Sequence, residues 1–121
     1  MQNCKDYLSH IKSKSFNEVL FSYIDKSWHK DSEIYKSVDI DRKLFSKIRC
    51  NRNYIPRKNI IIKLCLSLRL NKADFNKLLN SAGYALSGTT FDSVIIYCLE
   101  HNIYSIDQVN TYLDTFCNTS L

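Results

Sequence analysis

The sequence predicts an all-α fold, and three observations carry that prediction. Its 121 residues include only two Gly and one Pro, which leaves little material for the tight turns that antiparallel strands need. Apolar residues recur three and four positions apart in one segment after another, the period of a helix rather than a strand. Several of these segments follow a Ser, Asp or Asn, whose side chain can accept the orphan N–H groups of a first helical turn. With 45% hydrophobic residues, the chain can bury one core without disulfide or metal staples.

Taken in order, residues 1–14 form a short N-terminal helix or arm, with Tyr7, Leu8 and Ile11 on one stripe. Ser15, with Glu18 three residues on, reads as a capping box opening a helix whose apolar positions are Phe16, Leu20, Tyr23, Ile24 and Trp28. Asp31 to Ser37 is a short helix carrying Ile34, Tyr35 and Val38 inward, and Asp41 is the N-cap of the next, Arg42 to Cys50. Two short helices about three residues apart make a helix-turn-helix. Asn51 to Ile55 is a loop, and Pro56 opens a long core helix through Leu70 with Ile60, Ile61, Leu64, Cys65 and Leu68 in register. Asn71 and Asp74 cap a helix that turns Phe75, Leu78 and Leu79 inward before Gly83 stops it. Ser87-Gly88 reads as a hinge or short linker. Two last helices follow, Thr90 to His101 with Phe91, Val94, Ile95, Cys98 and Leu99, and Ser105 to Cys117 with Ile106, Val109, Tyr112, Leu113 and Phe116. Ser105 and Gln108 form another capping box. The expected organisation is the arm at 1–14, a compact five-helix helix-turn-helix domain at 15–86, and a two-helix C-terminal extension at 87–121 packed on it.

Charge is distributed very unevenly along this frame. Between Arg42 and Ala73 stand ten basic residues and no Asp or Glu. Residues 1–41 carry a net −1, residues 42–77 a net +10 and residues 78–121 a net −4, so the overall +5 conceals a basic middle and an acidic final third. Such segregation suits a face that meets a polyanion, and nucleic acid is the first candidate.

The helix Arg42 to Cys50 concentrates that charge on one side. At 100° per residue, Leu44, Phe45 and Ile48 fall within an arc of about 100° and must face the core. The opposite arc carries Lys43, Ser46 and Cys50 flanked by Arg42 and Lys47, with Arg49 at the core edge, its stem free to snorkel outward. Arg and Lys donate to guanine O6 and N7, and a small Ser lets a helix approach the groove floor. Lys63, Arg69 and Lys72 lie on the outer side or end of the core helix and serve solubility.

Other chemistries find little purchase. The five Cys are odd in number, widely spaced and without a CxxC pair, which suits a reducing, cytoplasmic setting. Cys65 and Cys98 lie among apolar neighbours and read as inert core thiols. His10, His29 and His101 are too scattered for a metal site, and no cofactor is expected. No apolar stretch suggests a signal peptide or membrane span. There is no Gly-rich phosphate loop, HExxH or nucleophile elbow, so an enzyme is not expected. Cys50, among basic residues, is the single arguable reactive thiol and a candidate redox sensor.

From Lys30 to Leu79 the chain resembles the lambda-repressor/Cro-like (XRE-type) helix-turn-helix family, with Ile40, Leu44, Ile48, Asn51, Pro56, Leu64, Leu68 and Asn71 in the positions that carry the likeness. The segment after it is similar to a C-terminal extension of bacterial helix-turn-helix proteins, some of them fused behind macro domains. The resemblance implies double-stranded DNA as partner and transcriptional regulation as role. Arg42, Lys43, Ser46 and Lys47 would then read bases, while Lys30, Ser32, Arg49, Asn51, Arg52, Arg57 and Lys58 would hold phosphates. A homodimer through the C-terminal helices, with Tyr97, Tyr104 and Tyr112 as interface aromatics, is the companion expectation. Lys30-Asp31 departs from the family's usual Ser/Thr-Gln start, and Asp31 and Asp41 lie where phosphates would pass. They favour the alternative, a protein-interaction module whose basic face meets an acidic protein, such as a phage- or plasmid-borne inhibitor of a nuclease or defence protein.

Overall fold

Ser15 Oγ accepts the Glu18 N–H at 3.2 Å, and α1 (Phe16–Ser27) starts there in the computed structural model, which describes Cys4 and residues 14–121. Six more helices follow: α2 (Asp31–Ser37), α3 (Arg42–Cys50), α4 (Lys58–Ser67), α5 (Lys72–Ser81), α6 (Thr90–Glu100) and α7 (Ile106–Cys117). The described residues contain no strand, so the all-α expectation holds. The helix expected over residues 1–14 lies outside the described residues, apart from Cys4 and a non-helical Lys14.

Asn71 and Ser105 cap α5 and α7 by accepting the Asp74 and Gln108 N–H groups, and Thr89 does the same for α6 through Asp92. The capping box at Ser15 is made on one side only, because Glu18 directs its carboxylate to Arg52.

Four helices end alike. Asp39, Arg69, Gly83 and Asn102 take left-handed φ values of 57°, 51°, 83° and 56°. The following residue's N–H then reaches back to a last-turn carbonyl: Ile40 to Tyr35, Leu70 to Cys65, Tyr84 to Leu79 and Ile103 to Cys98, at 2.8–3.1 Å. These are Schellman closures, and the apolar residue after each turn is delivered to the core. A glycine fills only one of them, so composition alone gives little sign of where these helices stop.

The α4 helix is the centre of the structure. It packs on α2 and α5, while α1 also meets α5, and α6 joins α5 and α7. Ile61, Ile62, Leu64, Cys65 and Leu66 are all essentially inaccessible, so the buried face of this helix is wider than one stripe, with Asn59, Lys63 and Ser67 on the outer side. One continuous apolar cluster runs from Phe16 through Phe45, Ile48, Phe75 and Leu79 to Ile95, Val109 and Leu113. Each such fully buried side chain contributes about 1.5–3 kcal/mol of transfer free energy.

Two boundary expectations are corrected. Pro56 is buried but precedes α4 by two residues, because Arg57 is still extended and acts as N-cap. That helix stops at Ser67 rather than Leu70, where Arg69 turns left-handed. Ser87-Gly88 lies in the short connection between α5 and α6, and Ser87 is tied to Asp92 through both its N–H (2.7 Å) and its hydroxyl (2.9 Å). Two core assignments also fail. Trp28 is 95% exposed because α1 ends at Ser27 and Trp28, in the left-handed region at φ 64°, leaves the helical register. Phe116, in the last turn of α7, is 63% exposed.

Candidate nucleic-acid interface

The α3 helix divides its residues as its period requires. Phe45 and Ile48 are buried and Leu44 is half-buried, with the Phe45 ring 5.3 Å from Tyr35 and 6.2 Å from Phe21. Arg42, Lys43, Ser46, Lys47 and Cys50 are exposed. Asp41 occupies the N-cap in backbone conformation, yet its carboxylate makes no capping bond. At the other end Asn17 Nδ2 donates to the Ile48 carbonyl at 2.7 Å and to that of Arg49 at 3.4 Å, so α1 holds the C-terminal carbonyls of α3. Sequence reading missed this contact, since Asn17 carries no local signal beyond its amide.

The charges of the basic block are not equally available. Arg49 grips Asp31 fork to fork, Nε to Oδ2 at 2.7 Å and Nη2 to Oδ1 at 2.8 Å, while its guanidinium lies 4.2 Å from the Phe21 ring centre. Arg52 is paired with Glu18. Lys58 donates to Asp92 Oδ2 at 2.8 Å, and that carboxylate is 1% exposed. These three were candidate phosphate contacts, and each is committed within the fold. By contrast Lys30, Arg42, Lys43, Lys47 and Arg57 have no carboxylate of the described residues within ion-pair distance. Lys47 lies 4.4 Å over the Tyr54 ring, which positions its ammonium without neutralising it. Asn51 spends its side-chain oxygen on the Asn53 N–H at 3.1 Å, shaping the loop after α3. Lys30, Asp31, Ser32 and Tyr35 of the α2 start face Arg42, Phe45, Ser46 and Arg49 across a groove of about 520 Å³.

Helix polarity adds a second pattern. A carboxylate stands in the first turn of α1, α2, α5, α6 and α7: Glu18, Asp31 with Glu33, Asp74, Asp92 and Asp107. The first turns of α3 and α4 contain none, and Arg42, Lys43 and Lys58 stand there instead. Cations at a helix N-terminus oppose the macrodipole at a cost of about 0.3–1 kcal/mol each. At the α3 start Arg42 and Lys43 stay unpaired among the described residues and suit an anion, with Asp41 at its N-cap, whereas Lys58 at the α4 start is taken by Asp92.

No family model matches the chain, nor does any curated protein or solved structure. Among the described residues no group of His, Cys, Asp and Glu could hold a metal, and no helix is long and apolar enough to cross a membrane. Burial pushes the Cys65 and Cys98 thiols up in pKa, which keeps them protonated and unreactive. Cys50 is exposed on the basic face.

The C-terminal pair offers a different surface. Thr90, Ser93, Val94, Tyr97, Tyr112 and Phe116 line an uncharged groove of about 420 Å³ between α6 and α7. Tyr97 stacks on His101 at 4.0 Å and meets Tyr112 edge-on at 5.7 Å. Tyr104, expected among the outward aromatics, instead donates its hydroxyl to the Leu70 carbonyl at 3.1 Å and binds the extension to the end of α4.

Proposed function

We propose that this chain is a small cytoplasmic DNA-binding protein, a transcriptional regulator whose α2–α3 pair acts as a helix-turn-helix with α3 in the major groove. The observation that carries the reading is the acid-free first turn of α3, where Arg42 and Lys43 stand against the helix dipole, continuing into the exposed Ser46 and Lys47. Arg42, Lys43, Ser46 and Lys47 read base edges, while Lys30, Ser32, Asn51 and Arg57 fix the phosphate backbone. Arg49, Arg52 and Lys58 are left out of the phosphate set because each already holds a carboxylate. With that smaller set, the log–log salt slope is expected at roughly −2 to −4. A homodimer through the α6–α7 groove is part of this proposal, since a two-fold protein suits a palindromic site.

Fluorescence anisotropy with labelled duplexes at ~50 mM salt tests this. Arg42→Ala/Lys43→Ala should erase discrimination between sequences, and Arg57→Ala should weaken all duplexes alike. Failure of the parent protein to bind any duplex sinks the reading. A protein-interaction module whose basic face meets an acidic protein is the second reading, favoured by Asp41, whose carboxylate is exposed at the head of α3 without a capping bond. An acidic protein partner that stays bound to α3 after nuclease treatment, and is released by Arg42→Ala/Lys43→Ala, would establish it.

A further inference from the structure

The single tryptophan of the chain is almost wholly in water, an uncommon place for the largest aromatic side chain. Trp28 is also held there. It takes φ 64° as the residue that ends α1, a conformation bulky side chains rarely adopt. Ser27 fixes the turn on both sides: its hydroxyl donates to the Ile24 carbonyl at 2.7 Å and accepts the His29 N–H at 3.2 Å. Two residues later Lys30 N–H is tied to Glu33 Oε1 at 2.9 Å, which sets the start of α2. The indole is thus presented on a short, doubly anchored connector.

The basic groove begins two residues further along the chain, where exposed Lys30 lines it with Arg42 and Ser46. Asp31, next to Lys30, is taken by Arg49, while Lys26 and Lys30 are matched in number by Asp25 and Glu33. In a helix-turn-helix it is the first helix of the pair whose start crosses the phosphate backbone. An indole suits that position, with an N–H donor for a phosphate oxygen and an apolar face for a sugar.

We propose that Trp28 is a DNA contact, its indole N–H on a backbone phosphate and its ring against the neighbouring deoxyribose where the strand passes the start of α2. This rests on the DNA-binding reading above and extends its footprint beyond the basic face. Because the chain has one tryptophan, its emission reports this position alone.

Labelled-duplex anisotropy and acrylamide quenching of Trp28 emission, recorded in one titration of the full chain, make the test. As anisotropy saturates, the quenching constant should fall severalfold. Trp28→Ala should weaken binding about fivefold, with its thermal unfolding unchanged because the side chain packs on nothing. Anisotropy that saturates while quenching stays constant overturns the Trp28 contact and leaves DNA binding intact. No anisotropy change at any protein concentration overturns both. A blue shift with anionic phosphatidylserine vesicles but not with duplex would assign Trp28 to a lipid surface and also overturn the proposal.

Discussion

Lys58 at the first turn of α4 and Asp92 at the first turn of α6 are joined at 2.8 Å, across 34 residues of sequence. Burial raises the Asp92 pKa, but the Lys58 ammonium and the Ser87 N–H and hydroxyl more than offset it, and the carboxyl ends below its ordinary value. One of its oxygens, Oδ1, is buried without any partner, so the charge depends on bonds to the other. Replacing Lys58 with Met would leave a buried carboxylate uncompensated. A loss of about 3 kcal/mol in urea unfolding is expected. A depressed folded pKa stabilises fully above the unfolded value of about 3.9 and is lost as pH falls through the folded value. Asp92→Asn should therefore remove part of the acid sensitivity below about pH 4 while lowering stability at neutral pH; an unchanged acid limb would refute this.

Tyr23 gives the opposite limb. Its hydroxyl donates to Asp74 Oδ1 at 3.0 Å, and burial, reinforced by that carboxylate, pushes its pKa up to about 12. The unfolded phenol ionises first, near pH 10, so this stabilisation is complete below about pH 10 and disappears as pH climbs towards the folded value. Tyr23→Phe should flatten that stretch of the stability–pH curve and cost about 1 kcal/mol at pH 7. A spectrophotometric titration that finds every tyrosine ionising together near pH 10 would contradict it.

Asn17 holds the far end of α3. Asn17→Ala leaves the Ile48 and Arg49 carbonyls to water and should lower stability by about 1 kcal/mol, with faster amide exchange in the last turn of α3. Exchange that speeds up equally in α7 would show the effect to be global rather than local.

Asp41 separates the functional readings. Asn is as good an N-cap as Asp, so Asp41→Asn should leave thermal stability nearly unchanged. Removing a carboxylate from the head of a DNA-reading helix should strengthen duplex binding severalfold at low salt. Weaker binding by this variant would argue against α3 in the groove.

What could be read in the sequence, and what could not, follows from range. The caps at Ser15, Asn71 and Ser105 are signals written within three residues, and the inward set Phe45 and Ile48 follows from helical period alone. Trp28 and Phe116 were assigned to the core because periodicity continues on paper after a helix has ended or lost its cover. The Schellman ends at Asp39, Arg69 and Asn102 had no glycine to announce them, although the apolar Ile40, Leu70 and Ile103 just after them were a usable clue. Of the site, the exposed Arg42, Lys43, Ser46 and Lys47 were legible. The commitment of Arg49, Arg52 and Lys58 was not, because their partners lie 18, 34 and 34 residues away.

The α4 helix, with its wide buried face, also constrains how the chain can acquire its structure. Its inaccessible residues are covered by α2 and α5, and the α6 and α7 residues Ile95, Val109 and Leu113 belong to the same apolar cluster, so losing the last two helices uncovers part of it. A protein arranged this way should assemble in one cooperative step, and a fragment ending at Ser87 would expose apolar surface and aggregate rather than persist as a smaller domain.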